Sequence, residues 1–335
     1  MQESPTPMKP KEPSIRTNNL EIGYKSGSPV FGKLNLAVRS GEVTCLMGPN
    51  GVGKSTLVKT ILGIIPPLSG DLWIAGQPIT TYKPREVAQK VAVVFTDKIA
   101  KGNLTVREMV TLGRIPHTGW LGQVHSVDRT AVASALSDVK ISHLSDRLLI
   151  ELSDGQIQKA LIARALAQDG EILILDEPTA HLDLVNRYEI MYLLRELAIV
   201  KNKAVLVVTH DLDIALETAD QLLLMIDSEI WINGAPEDLV IRGEINKLMP
   251  GNAYRFDLLT GKIGFKHNAP MPSIIGPATW IPWVQNILKK HPISMDELSI
   301  EIAPNPFSIQ IRRRSTVTEV FSLEDMISFL RNKTQ

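Results

Sequence analysis

The feature that most constrains the fold is the glycine-rich segment Gly48-Pro-Asn-Gly-Val-Gly-Lys-Ser55. An apolar run of strand type, Val43–Met47, precedes it, and Leu57, Ile61 and Leu62 recur after it at helical spacing. This order of strand, loop and helix is the context that the phosphate-loop motif GxxxxGK[ST] requires. Its glycines let backbone amides surround an anion, and the helix start adds positive potential. The segment therefore predicts an α/β protein whose loop binds nucleotide phosphates.

Individual loop residues have predicted roles in holding ATP and Mg²⁺, the expected ligand and cofactor. Lys54 is expected to reach the β and γ phosphates, and Ser55 to ligate the magnesium ion. The other candidate nucleotide-binding residues are Gly48, Pro49, Asn50, Gly51, Val52, Gly53 and Thr56. The alternative is a chance glycine turn, which the flanking strand and helix disfavour.

Two further apolar runs, ILIL and VLVV, have the length and unbroken pattern of central strands in a parallel sheet covered on both faces. Asp176 and Glu177 follow the first run, and His210 follows the second. Parallel strands bring their carboxyl ends to one sheet edge, where ligands of open α/β sheets bind. These three side chains are therefore predicted to lie beside the phosphate loop.

The chemistry of phosphoryl transfer suggests a role for each of them. Asp176 suits the surroundings of magnesium, and Glu177 can orient and polarise the attacking water. His210 can donate to a γ phosphate. Taken alone, an Asp-Glu pair after a strand is more often a surface turn and a solitary histidine is usually structural. The phosphate loop favours the functional interpretation, with Glu177, His210 and Lys54 as catalytic candidates.

A second helix start, at Ser153-Asp-Gly-Gln156, has the spacing of a capping box. Capping alone would explain it. A helix N-terminus with free amides and a hydroxyl is also a phosphate site, however, and this chain already has one in its phosphate loop. The hypothesis that follows is a head-to-tail homodimer in which this helix end closes on the partner's nucleotide.

Taken together, the segments GPNGVGKST, LSDGQ, ILILDEP, HLD and VTHD resemble the ordered motif set of ABC-type ATPases. The resemblance covers residues of about 15–245. It implies a phosphate-loop fold of ABC type, with a parallel sheet core, an antiparallel β subdomain and an inserted helical subdomain. It also implies that Tyr24 stacks on adenine and that Asp183 lies at the dimer seam. Ser153, Gly155 and Gln156 would then meet the partner's γ phosphate. The alternative for Tyr24 is a core aromatic.

Within that superfamily, TVREMVTLGRIPH resembles the helical subdomain of importers for iron-siderophores, haem and cobalamin. The resemblance implies two copies of the chain beneath integral membrane permease subunits, on the cytoplasmic face of the inner membrane. A substrate-binding protein would deliver the cargo. The alternative is a soluble ABC ATPase of the cluster-assembly type, uncoupled from transport.

Two positions depart from the family pattern. Thr96 stands where members carry a glutamine that helps to hold magnesium, and its shorter side chain makes this metal role doubtful. A subunit that only binds ATP is therefore a further alternative, against which Glu177 argues. Asp154 replaces a signature glycine, and we expect its carboxylate to turn outward because an acidic group beside phosphate is unfavourable.

The remaining sequence suggests a flexible tail (1–14), an ATPase domain (15–245, with the helical subdomain at about 97–168) and a small α/β accessory domain (246–335). The tail is rich in proline and poor in large apolar groups. Alternation over residues 15–38 predicts a half-buried antiparallel strand. A helix near residues 282–290, the alternating FSIQIR and a final helix after Ser322 mark the accessory domain. Trp280 and Trp283 are expected in its core.

Composition limits the partners. Lys plus Arg and Asp plus Glu both number 36, so no overall field favours nucleic acid. The run Arg312-Arg313-Arg314 is short and is interpreted as a solvated strand edge rather than a nucleic-acid site. The single cysteine, Cys45, excludes an internal disulfide and is expected in a buried strand. No apolar run is long enough to span a bilayer.

Overall fold

The computed structural model describes residues 12–24, 29–95, 103–119, 122–249, 251, 253–258, 260–265, 271–291, 298–314 and 316–332. Two compact units cover Met1–Leu248 and Met249–Gln335. Thr96 and residues 1–11 of the predicted tail lie outside the described residues. Ser14, the last residue of that predicted tail, is buried, and its carbonyl accepts a hydrogen bond from the Ala75 amide at 2.8 Å.

The strands of the first unit are β1 (Ile15–Ile22), β2 (Phe31–Leu34), β3 (Ala37–Val38), β4 (Val43–Met47), β5 (Ser69–Ile74), β6 (Gln77–Pro78), β7 (Val91–Val94), β8 (Ile172–Asp176), β9 (Ala204–Val208), β10 (Gln221–Met225) and β11 (Trp231–Gly234). Its helices are α1 (Lys54–Ile61), α2 (Pro84–Lys90), α3 (Val106–Thr111), α4 (Ser126–Asp138), α5 (Asp154–Ala167), α6 (Leu184–Lys201), α7 (Leu212–Thr218) and α8 (Pro236–Ile241).

The central sheet has the strand order β11-β10-β4-β9-β8-β7. All of its neighbours are parallel except β10 and β11. Every residue of β4 and β9 is buried, which is why both strands are apolar without alternation. Cys45 is buried within β4, as predicted. The carboxyl ends of β4, β8 and β9 therefore meet at one edge, as the sequence predicted.

A second sheet, with the order β2-β1-β5-β6 and with β3 also paired to β1, is antiparallel. The single strand predicted over residues 15–38 is wrong, because the chain folds back and forms β1, β2 and β3. β2 and β3 pair antiparallel with different parts of β1, so the chain reverses direction after β1. Asn19 and Lys33, with left-handed φ angles of 46° and 56°, lie inside β1 and β2 and do not mark this reversal. The alternation was real, but it belonged to several short strands.

Helices α3, α4 and α5 pack together and form the predicted helical region. The predicted capping box at the start of α3 is present, with Thr105 and Glu108 each satisfying the other's backbone amide. A buried ion pair holds the region together, because Arg114 Nε lies 2.8 Å from Asp128 Oδ1. Arg114 also donates to the Ala167 carbonyl at 2.7 Å and thereby ties α5 to the pair. The hydrogen bond from Arg114 lowers the pKa of Asp128.

The second unit contains β12 (Tyr254–Asp257), β13 (Lys262–Phe265), β14 (Ser273–Ile275), α9 (Ile281–Lys290), β15 (Leu298–Pro304), β16 (Phe307–Arg313), β17 (Thr316–Val320) and α10 (Leu323–Asn332). β12 and β13 form a hairpin, and the other strands form a sheet in the order β14-β15-β16-β17.

The core of this unit packs α9 and α10 against its four-stranded sheet. Trp280 packs against this core, and its ring centroid lies 5.4 Å from that of Phe307. The prediction that Trp283 belongs to the core is wrong, because 62% of this residue is exposed. Both tryptophans lie near the start of α9 and line one cavity, which Val284, Ile302, Phe307 and Leu323 also line. Among the described helices, none is long and apolar enough to cross a membrane.

Candidate nucleotide-binding site

The glycine-rich loop between β4 and α1 has a conformation that its glycines make possible. Gly51 and Gly53 adopt left-handed φ angles of 82° and 116°. A Cβ on Gly48 would lie 2.2 Å from the Met225 carbonyl oxygen, so the loop passes directly against the end of β10. These constraints leave the loop amides lining an open concavity at the sheet edge.

Lys54 is buried, and its ammonium binds the loop itself. Nζ donates to the Gly48 carbonyl at 2.7 Å and to the Pro49 carbonyl at 3.0 Å. Burial lowers the pKa of Lys54, while Glu177 and Asp176 oppose that shift. An ammonium has three N–H donors, so one remains for a phosphate oxygen. The lysine can thus hold the loop open and bind an anion at once.

A cavity of about 290 Å³ lies above this loop. Its lining residues are Asn50, Gly51, Gly53, Lys54, Ser55, Thr56, Asp176, Glu177 and His210. The structure therefore brings the predicted loop residues together with the three residues from the ends of β8 and β9. Tyr24, Gly48, Pro49 and Val52 do not line this cavity. Tyr24 is 51% exposed, and its contact with adenine stays a prediction.

Glu177 and His210 form a close pair at the sheet edge. His210 Nε2 lies 3.1 Å from Glu177 Oε1, which is buried and accepts no hydrogen bond from any described residue. The Glu177 amide donates to the Val208 carbonyl at 2.8 Å, and its φ of 49° turns the chain sharply out of β8. The pair is thereby aimed at the cavity by the backbone of two neighbouring strands.

The surroundings shift the protonation of both groups. Burial raises the pKa of Glu177 to about 7, and the nearby carboxylates of Asp176 and Asp211 add to the rise. The backbone amide of His210 and the Lys54 charge oppose it. Burial and the Lys54 charge lower the pKa of His210. At neutral pH the imidazole is therefore mostly neutral and can donate a hydrogen bond without adding charge.

The raised pKa of Glu177 predicts a measurable pH dependence of stability. The native state holds this proton more tightly than the unfolded chain, whose carboxyl titrates near 4.5, so stability is lost as pH rises from 4.5 towards 7. Glu177→Gln removes this loss. The free energy of unfolding of Glu177→Gln, relative to that of wild type, should therefore rise by about 2 kcal/mol between about pH 5 and pH 8. Urea titrations without nucleotide measure it. Glu237→Gln, an exposed change in α8, should show no such trend.

The residues predicted to contact a partner's nucleotide lie elsewhere. Ser153 caps α5, accepting from the Gln156 amide at 3.3 Å, and the Gln156 side chain accepts from the Ser153 amide at 3.1 Å. Ser153 and Asp154 are exposed. None of Ser153, Gly155, Gln156 and Asp183 lines the cavity. Within one chain, this helix end and the phosphate loop therefore do not share a site.

Asp183 and Gly155 are linked through Asn186. Asp183 caps α6 by accepting from the Asn186 amide at 2.8 Å and from its side-chain amide at 2.7 Å. A Cβ on Gly155 would lie 2.6 Å from Asn186 Oδ1, so only glycine fits at this point without displacement. Asp183, Asn186 and Gly155 thus form one cluster, in which Asp183 is exposed, Asn186 partly exposed and Gly155 buried. We call this cluster the signature patch.

The sequence analysis did not identify a group of interacting residues that lie next to the site without lining its cavity. Asp211 follows His210 directly, and its carboxylate contacts Thr179 and Arg187. The sequence signal was available, since an Asp beside a strand-end histidine and a Thr after the Asp-Glu-Pro segment lie within motifs already singled out. Their mutual contact could not be predicted, because Thr179 and Asp211 belong to segments that follow different strands.

The fold and the site together define a phosphate-loop ATPase with a carboxylate and an imidazole at its reacting end. The family model for ABC transporters matches residues 31–180. An uncharacterized ABC transporter ATP-binding protein of Methanocaldococcus jannaschii is 37% identical over 254 residues, which are 76% of this chain and 87% of that protein. The chain belongs to the ATP-binding proteins of ABC transporters.

Other relatives carry functional names. The ferric enterobactin transport ATP-binding protein FepC of Escherichia coli is 35% identical over 70% of this chain and 86% of its own length. The cobalamin import ATP-binding protein BtuD of Halobacterium salinarum is 33% identical over 64% of this chain and 54% of its own length. These relatives confirm the prediction of an ABC importer ATPase and favour it over the soluble alternative.

Solved structures agree. A cbiO1 structure from Clostridium perfringens, part of the transporter complex cbiONQ, has a TM-score of 0.64 at 30% identity and covers 70% of this chain and 93% of that one. A dimeric ATP-binding cassette in a post-hydrolysis state with ADP and phosphate has a TM-score of 0.56 at 28% identity, with coverage of 66% and 98%. The predicted ABC fold and the prediction of ATP hydrolysis are thereby confirmed.

Proposed function

We propose that this chain hydrolyses ATP as a homodimer in which the signature patch of each copy closes the cavity of the other. The observation that carries this proposal is the division of the site, because the loop, Glu177 and His210 share one cavity while Ser153 and Gly155 lie outside it. The exposed N-terminus of α5 suits an anion. A second copy supplies that anion as the γ phosphate held on its own loop. The dimeric cassette structure supports this arrangement.

Magnesium is part of the same proposal. The residues present fit a hard cation, because Ser55 and Asp176 both line the cavity with oxygen atoms. Glu177 adds a buried carboxylate oxygen that no described residue hydrogen-bonds. Ser55 and Asp176 would hold the ion, directly or through water, and the ion would neutralise phosphate charge. Glu177 would orient the attacking water, and His210 would donate to the γ phosphate.

The proposal for the cargo and the partners is based on the names of the relatives. Ferric enterobactin and cobalamin are both metal chelates. We therefore propose that this chain serves an importer for an iron-siderophore, haem or cobalamin. The dimer would dock on integral permease subunits at the cytoplasmic face of the inner membrane, and a substrate-binding protein would supply the chelate.

We further propose that residues 15–245 form the ATPase domain and 246–335 an accessory domain. The division into units at residue 248 supports this boundary.

Transport can be tested by purifying the tagged chain from its own cells with the membrane proteins that accompany it, and reconstituting the complex in liposomes. ATP-dependent uptake of ferric enterobactin, haemin or cyanocobalamin is expected, and a matched complex with Glu177→Gln should show none. Hydrolysis without uptake of any chelate would contradict the proposed cargo. A chain that never accompanies membranes at low salt would contradict the transport role.

A further inference from the structure

Asp211 occupies a position where sequence suggests only a helix cap. It immediately precedes α7, and aspartate at such an N-cap usually accepts a hydrogen bond from a backbone amide of the first turn. The Asp211 side chain makes no such bond. Its carboxylate is turned instead towards residues that precede and begin α6, so capping does not explain this aspartate.

Both carboxylate oxygens of Asp211 are used in this direction. Oδ2 accepts from the Thr179 hydroxyl at 2.6 Å, and Oδ1 lies 3.4 Å from Arg187 Nη1. Arg187 in turn donates through Nε to the Leu182 carbonyl at 2.9 Å. Thr179 is only 1% exposed, so its hydroxyl is shielded from water, whereas the side chains of Asp211 and Arg187 are partly exposed. One carboxylate thus holds both ends of the loop formed by residues 178–183.

The backbone in and next to this loop adopts unfavourable angles. Glu177, just before it, and His181, within it, have left-handed φ angles of 49° and 64°. For residues with a side chain, such angles cost of order 1 kcal/mol or more each and persist only where surrounding contacts enforce them. The contacts through Thr179 and Arg187 are of that kind. The loop's shape therefore depends on a residue that is far away in sequence.

The loop connects the two parts of the proposed active unit. At its start lies Glu177, paired with His210, which is the neighbour of Asp211 in sequence. At its end lies Asp183, which holds Asn186 against Gly155 in the signature patch. Asp211 is joined to His210 by a peptide bond. Its side chain contacts Thr179 and Arg187, at the two ends of the loop.

We propose that Asp211 is a positioning residue that fixes the loop 178–183 relative to His210, so that the hydrolytic pair and the signature patch adopt their active arrangement together. The inference rests on the proposed function, because it assumes a dimer that closes on ATP. Asp211 does not line the nucleotide cavity. Its positioning effect passes through Thr179 and Arg187, separately from the smaller electrostatic effect of its charge on Glu177.

The main test is Asp211→Asn in the full chain, which keeps the side-chain shape and removes the charge. Expected results are a kcat for ATP hydrolysis at least about 10-fold lower and an ATP affinity of the monomer within about 2-fold of wild type. In a Glu177→Gln background, the same change should raise the protein concentration needed for ATP-driven dimerisation about 10-fold. Asp213→Asn removes an exposed charge two positions along α7 and should leave all three quantities unchanged.

A second pair of variants keeps the test informative if Asp211→Asn folds poorly. Thr179→Val preserves shape and loses the hydroxyl, whereas Thr179→Ser retains it. The valine variant should lower kcat without changing monomer affinity for ATP, and the serine variant should restore most of the rate. Combining Thr179→Val with Asp211→Ala should cost little more than Asp211→Ala alone, because both changes remove the same hydrogen bond.

Several outcomes would overturn the inference. A kcat for Asp211→Asn equal to that of Asp213→Asn would show that the carboxylate positions nothing. A parallel loss of monomer ATP binding and thermal stability would reduce Asp211 to a general structural residue, as would equal rates for Thr179→Val and Thr179→Ser. If wild type fails to hydrolyse ATP, or Glu177→Gln fails to dimerise with ATP, the proposed function itself is wrong.

Discussion

Replacing Glu177 by glutamine is expected to lower kcat for ATP hydrolysis about 10³-fold while ATP still binds, because the amide cannot accept the proton or polarise the attacking water. Glutamine keeps the shape of the side chain at the end of β8. The loop amides and Lys54, which we propose carry the phosphate affinity, are untouched. The loss should therefore appear in kcat and not in monomer binding measured by fluorescent-nucleotide titration.

The same variant should accumulate as an ATP-bound dimer, because closure is no longer followed by hydrolysis. Gel filtration with and without ATP measures this directly, and phosphate release gives the rate. Glu237→Gln, exposed in α8, is the matched control and should behave as wild type. Equal rates of phosphate release for Glu177→Gln and wild type would remove Glu177 from the mechanism.

Replacing Lys54 by alanine should have an effect of similar size on an earlier step. The change removes the one ammonium among the described residues that line the cavity, together with its bonds to the Gly48 and Pro49 carbonyls. Both the phosphate contact and the shape of the loop are then lost. We expect the Kd for ATP to rise about 10²-fold, equivalent to about 2.7 kcal/mol, with hydrolysis below detection.

Calorimetric titration with ATP checks this prediction. Lys59→Ala, which removes an ammonium from the same helix, should bind as wild type because Lys59 does not line the cavity. Lys54→Arg separates charge from shape, since it keeps the positive charge but places a larger planar group against the loop. Unchanged affinity in Lys54→Ala would show that the phosphates bind elsewhere.

The site illustrates how far sequence reasoning reached. The phosphate loop follows from local order, because a strand, a glycine turn and a helix are neighbours along the chain. Asp176, Glu177 and His210 could be placed beside it because parallel strands end at one sheet edge. Both arguments need only periodicity and the position of a residue at the end of its own element.

Other features depend on contacts between segments far apart in sequence. The bond of Lys54 to its own loop, the raised pKa of Glu177 and the exposure of Trp283 all follow from packing that no local pattern records. The single strand expected over residues 15–38 failed for the same reason, since alternation does not show where a chain turns back.

The sequence by itself determined that this chain binds ATP on a phosphate loop and belongs to the ABC transporter ATPases, because those motifs are contiguous and carry their chemistry in residue type. Only the tertiary structure decided that the signature patch lies outside the cavity and that Asp211 braces the loop between them. The physical reason is that a hydrogen bond such as Thr179 to Asp211 depends on how β8 and β9 lie side by side, and spacing along the chain does not encode that distance.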